Sequence, residues 1–219
     1  MTSTAVLACE MMAPEIRSAM ADAGLDCPVV WVERELHNYP DRLRSELQSS
    51  LDGIEADTVL LAFTQCGNAA VGLEARRARL VLPRFADCAH LLRSQQPGSA
   101  GEVEMGVLYL FPGTLEQRGG LFKDYDRCCA RYGPEKGLRV CRQMVKNYRA
   151  VSFMDTGAAD PSACEAKARE LAELLALDYE TCGGTTRVLR KLFSGQWDGE
   201  FVVVPRGGTL EADCFALRP

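Results

Sequence analysis

Three short apolar runs, at residues 4–8, 28–32 and 58–63, show no alternation of polar and apolar side chains, and this constrains the fold more than any other feature of the chain. A strand with one face in water alternates. A continuous run fits a strand covered on both faces, as in a parallel sheet with helices above and below. Between the first two runs, Pro14 to Ala23 reads as a helix with Pro14 in its first turn. Between the second and third, Pro40 and Asp41 open a helix in which Leu43, Leu47, Leu51 and Ile54 recur at helical spacing, giving one apolar stripe for the sheet. The pattern is βαβαβ.

Residues 148–208 repeat that plan: a strand at Ala150–Met154, a helix from Pro161 to Leu177, a short strand at 179–181, a helix from Thr185 to Phe193, and the run Phe201 to Pro205. In the first of these helices Cys164, Ala168, Leu171 and Leu175 share one face. A strand at 79–83, a loop or lid at 95–101 and an extended run at 106–111 lie between the halves. The expected fold is therefore α/β, mainly parallel open sheet(s) flanked by helices, with two similar βαβαβ halves around a central crevice. The expected divisions are 1–114 for the first half, 115–147 for a helical connection and 148–219 for the second half.

At 219 residues the chain is long enough to bury a full core. A formal charge of −5 argues against a nucleic-acid backbone as partner, which calls for a basic face. The clusters at Arg76, Arg77 and Arg79 and at Arg187 to Lys191 read as solvated helix faces. The first ten residues lack a basic region and a long apolar stretch, so no signal peptide is read there. No run approaches the length of a membrane span. A cytoplasmic protein is expected, and its ten cysteines are expected as thiols.

Three of those thiols stand where strand-like runs stop: Cys9, Cys66 and Cys88. In an open α/β sheet the carboxyl ends of parallel strands face one crevice, so residues remote in sequence converge there. His37, in Glu35-Leu36-His37-Asn38, brings an imidazole to the same rim. Three cysteines and a histidine suit zinc or another thiophilic metal. No Cys-x-x-Cys pair occurs, and buried cysteine is also a common packing residue, so the spacing alone does not decide. Cys27, Cys128, Cys129, Cys141, Cys164 and Cys214 are read as packing residues.

Around the thiols, Glu10 and Asp87 are candidates to orient a ligating histidine or carry a proton, and Arg84 to grip an anionic group. The alternative for Arg84 and Asp87 is an ion pair at a strand end, and His37 outranks His90 as a ligand. Glycine beside polar residues marks three strand-to-helix junctions: Cys66-Gly67-Asn68, Asp155-Thr156-Gly157 and Cys182-Gly183-Gly184. Such junctions let backbone approach a ligand, which makes Asn68, Asp155, Thr156, Gly157, Gly183 and Gly184 candidate substrate contacts. None matches a phosphate-loop or dinucleotide fingerprint.

Taken in order, Ala8-Cys9-Glu10, Leu36-His37-Asn38 with Pro40 and Leu43, Cys66-Gly67-Asn68 with Gly72-Leu73, Pro83-Arg84 with Asp87-Cys88, Pro112-Gly113 and Asp155-Thr156-Gly157 resemble the proteins grouped as domain of unknown function 1638, over roughly residues 4–205. The resemblance implies association with corrinoid-dependent methyltransferase systems and one-carbon metabolism. His90 and the cysteines away from the three strand ends are not part of the family pattern. The expectation is a metal-thiolate enzyme or accessory protein in corrinoid-linked methyl transfer, acting on a small anionic or methylated substrate. Cys9, Cys66 and Cys88 would hold a divalent metal, most simply zinc, and His37 would be the fourth ligand or the acid/base group. A corrinoid would come through a partner, a corrinoid protein or methyltransferase. The alternatives are a non-catalytic two-lobed small-molecule binder and a structural metal-binding protein.

Overall fold

The computed structural model describes residues 3–99, 101–116 and 120–215. The chain forms two compact units, one made of Met1–Glu102 with Thr185–Pro219 and the other of Val103–Gly184. The lid expected at 95–101 and the helical segment expected at 115–147 each include residues outside that description, 100 and 117–119.

The first unit is built on β1 (Thr4–Cys9), α1 (Ala13–Ala23), β2 (Val29–Val32), α2 (Pro40–Gly53), β3 (Thr58–Ala62), β4 (Arg79–Pro83) and α3 (Cys88–Arg93). After the second unit the chain returns to add α8 (Arg187–Phe193) and β8 (Phe201–Val204). The strand order is β2-β1-β3-β4-β8, parallel throughout except for β8, which runs antiparallel to β4 with Leu80 opposite Val204 and Pro83 opposite Phe201. β3 is buried at every residue, as its unbroken apolar run requires. Leu43, Leu47 and Leu51 of α2 are buried as one stripe. α1 packs against α8, which also rests on β3 and β4.

The second unit holds β5 (Val107–Leu110), α4 (Pro112–Leu115), α5 (Leu121–Tyr132), α6 (Pro134–Met144), β6 (Ala150–Asp155), α7 (Pro161–Leu175) and β7 (Asp178–Gly183). Its sheet has the order β5-β6-β7, all parallel. Leu110, Leu115, Phe122, Cys141, Val151, Phe153 and Leu171 form its core.

The chain is thus α/β with mainly parallel sheets, as the apolar runs predict, but the second βαβαβ pattern spans β5 to β7 rather than residues 148–208. The divisions expected at 114 and 147 both fall inside the second unit. Phe201 to Val204 does form a strand, yet it pairs with β4. It is an edge strand with Val203 exposed, and its apolar character does not specify which sheet it joins. The Arg187–Lys191 cluster is a solvated face only at Arg190, which is exposed. The Arg187 and Lys191 side chains both reach the buried Glu200 carboxylate at 2.6 Å.

Candidate functional site

In the first unit the chain runs from β1 outward to β2 and then back past β1 to β3, so the strand order reverses between β1 and β3. Right-handed crossovers then place α1 and α2 on opposite faces, which opens a crevice at the carboxyl ends of those two strands. Cys9 is the last residue of β1 and is buried. Cys66 lies in the loop that follows β3, and Cys88 is the first residue of α3, after β4.

All three line one cavity of about 220 Å³ together with His37, Thr64 and Asp87, and Met12, Pro40 and Phe63 supply its apolar wall. The convergence of the three strand-end cysteines and His37 is therefore what the structure shows. Among the described residues, however, no group of three His, Cys, Asp or Glu side chains stands as a ready metal-ligand cluster.

The local backbone explains how Cys66 and Cys88 come together. Cys66, Gly67 and Asn68 have φ values of 48°, 62° and 70°, a left-handed turn that is costly at the two residues bearing a Cβ. It is held by backbone bonds to the loop after β4: Gln65 N–H donates to the Phe85 carbonyl (2.9 Å) and Cys66 N–H to that of Ala86 (3.1 Å). The Cys66 Sγ then lies 3.1 Å from the Thr64 hydroxyl.

His37 sits in the 3-10 turn Arg34–Asn38, its ring stacked on Phe63 at an interplanar angle of 7°. Its Nδ1 is 3.1 Å from the Arg34 carbonyl, which can only accept. The proton is therefore on Nδ1, and Nε2 offers its lone pair to the Cys9 thiol at 3.5 Å. Burial lowers the His37 pKa and keeps the ring neutral.

Burial also pushes all three thiols upward. Their mutual repulsion as thiolates adds to this at Cys9 and Cys88, while the Thr64 hydrogen bond works the other way at Cys66. Without a cation the pocket holds neutral sulfur.

The remaining candidates fall elsewhere. Asp87 faces the cavity, but its carboxylate caps α3 by accepting from the His90 N–H (2.9 Å) and ring Nδ1 (2.8 Å). It thus fixes His90, not His37, and anchors the helix that carries Cys88. Glu10, Asn68 and Arg84 are not among the described residues lining the cavity. Glu10 heads a 3-10 turn after β1. Asn68 is exposed, and its side-chain oxygen accepts from Gln65 at 2.6 Å. The Arg84 guanidinium donates to the Phe201 carbonyl (3.2 Å), tying β4 to β8 where an anion grip was expected.

Asp155, Thr156, Gly157, Gly183 and Gly184 belong to the second unit, at the ends of β6 and β7. There Asp155 Oδ1 accepts from Gly157 N–H (2.9 Å) and the Asp155 carbonyl from Gly184 N–H (2.8 Å). Sequence reasoning missed Thr64, Phe63 and Met12. Of these only Thr64 carried a signal, as a polar residue at the close of an apolar run.

Among the described residues no helix is long and apolar enough to cross a membrane. No curated protein and no solved structure matches the chain. A family model described as Protein of unknown function (DUF1638) matches residues 31–193, a span that includes His37, Cys66 and Cys88 and begins after Cys9. That span is most of the chain and narrower than the 4–205 of the motif resemblance, and on it the chain belongs to the DUF1638 family.

Proposed function

We propose that the cavity is a metal-thiolate site that serves methyl-group or thiol chemistry on a small molecule, in corrinoid-linked one-carbon metabolism in the cytoplasm. The observation that carries this reading is the convergence of Cys9, Cys66, Cys88 and a neutral His37 on one cavity, from four separate segments of the chain. Soft sulfur with one imidazole is a donor set for zinc. To ligate, Cys9 must leave His37 Nε2 and Cys66 must leave the Thr64 hydroxyl. A zinc ion bound there would hold a substrate thiol as the thiolate nucleophile. The chain's own residues do the rest. Met12, Pro40 and Phe63 exclude water, the Arg34 carbonyl fixes the His37 tautomer, and Asp87 secures the helix that bears Cys88. With Arg84 directed to Phe201, the methylated branch of the expected substrate class fits this lining better than the anionic one.

A second reading, a non-catalytic binder of a small apolar molecule, is favoured by the same apolar wall and by the lack of a ready ligand cluster among the described residues. Metal analysis of protein purified without chelator or immobilised nickel separates the two. The metal reading expects one ion per chain, lost in Cys66→Ser and kept in Cys164→Ser. Wild-type protein free of bound metal would sink it and leave the binder.

A further inference from the structure

A second group of thiols lies in the other unit, on α5 and α6. Only Gly133 separates these helices, and they pack closely along their length. A Cβ placed on Gly137 would sit 2.7 Å from the Cys129 nitrogen and 2.8 Å from the Cys128 carbonyl carbon, so at this point the two backbones touch. Cys141 is one turn beyond Gly137 on the same side of α6. Cys141 is buried in the core of the unit with Phe122 and Leu171, and Cys128 packs against that same cluster. The Cys129 sulfur lies 3.9 Å from the carbonyl of Pro134, the first residue of α6.

We propose that Cys128 and Cys141 form a thiol–disulfide modification site, at which a small disulfide of the glutathione type links α5 to α6. Disulfides need Cα atoms within about 7 Å, closer than helices usually pack, and the Gly137 contact draws the two helices together one turn from Cys141. Cys128 is partly exposed and Cys141 is 1% exposed, which sets the order of events. The Cys128 thiolate attacks one sulfur of the oxidant, forming a mixed disulfide and releasing the first small thiol. Cys141 then gives up its proton and attacks the Cys128 sulfur, releasing the second small thiol. Two S–H bonds are lost from the chain, one S–S bond forms, and the oxidant leaves as two thiols. Cys128 and Cys129 are ruled out as a pair, since neighbours on a helix point about 100° apart.

The test is incubation with glutathione disulfide followed by peptide mapping, with the chain cut between the two cysteines. A link between Cys128 and Cys141 is expected, two hydrogens lighter than the dithiol, reversed by dithiothreitol and absent in Cys128→Ser. Oxidation should raise the melting temperature of the second unit by several degrees in the wild type and not in that variant. Cys141→Ala, which keeps the packing apolar, should trap glutathione on Cys128. A link through Cys129 instead, a mixed disulfide that persists on wild-type Cys128, or an unmodified Cys128 in Cys141→Ala would each overturn the proposal.

Discussion

The two units end their parallel strands differently. In the first, the carboxyl ends of β1, β3 and β4 surround a cavity whose polar lining is three thiols, an imidazole, a hydroxyl and a capping carboxylate. In the second, the ends of β6 and β7 close on themselves through Asp155, Gly157 and Gly184. Strand order accounts for the contrast. The order β2-β1-β3 reverses direction at β1, so the loops after β1 and β3 diverge and leave room between them. The order β5-β6-β7 moves one way, so right-handed connections put both crossovers on one face, where α4 and α6 meet α7. A parallel sheet alone does not make a pocket; a reversal of strand order does.

That contrast is broken most forcefully by exchanging the chemistry of the two rims. Cys66→Ser should abolish metal occupancy while Asp155→Asn leaves it intact, as read by metal analysis. Loss in both, or in neither, would end the distinction between a chemical rim and a self-satisfied one.

Next in size is the buried ion network that, among the described residues, only the first unit possesses. Burial alone would raise the Glu200 carboxyl, but hydrogen bonds from Arg187 and Lys191 override it and hold the pKa at about 2, below the usual 4.5. Because the folded-state value is depressed, the stabilisation is complete above pH 4.5 and fades as pH falls toward 2. Glu200→Gln should cost about 3 kcal/mol at neutral pH, with the deficit shrinking in acid, measured by denaturant melts across pH. The exposed Arg149, paired with Glu104 and Glu180 in the second unit, should show a barely measurable loss on Arg149→Gln.

The glycines at the two rims sharpen the comparison at smaller scale. Gly184 is required by space, since an added Cβ would lie 2.6 Å from Met154 Cγ and 3.1 Å from the Asp155 carbonyl oxygen. Gly184→Ala should cost about 2 kcal/mol by overpacking. Gly67 has open space around it but a φ of +62°, so Gly67→Ala should cost about 1 kcal/mol of backbone strain. Equal costs in thermal melts would mean that both rims are held by the same constraint.

Burial on two faces wrote itself into the sequence wherever it was complete. β1 and β3, and the Leu43, Leu47 and Leu51 stripe of α2, were legible because each residue meets the same apolar surroundings. Strand ends were legible too, and the meeting of Cys9, Cys66 and Cys88 follows from them. Partner choice was not. Phe201 to Val204 reads as a strand in either sheet, and only the returning chain places it on β4. The misreading of Arg84, Arg187 and Lys191 has the same root, because their partners lie on or beside β8. The direction of Asp87 escaped because a helix cap at residue 87 and an acid aimed at His37 share one local sequence.

The placement of the second unit within the first carries a consequence for synthesis. Leu80 waits for Val204, and α1 waits for α8, while the ribosome makes all of residues 103–184. During that interval β4 has an unpaired edge rich in leucine and valine, the kind of surface that recruits other strands. The second unit is continuous in sequence and can close without waiting, so the nascent chain passes through a stage in which the later-made unit is complete and the cavity-bearing one is not. The cavity is thus finished late, after its three cysteines have long been in place, when a strand from the far end of the chain seals the sheet beneath it.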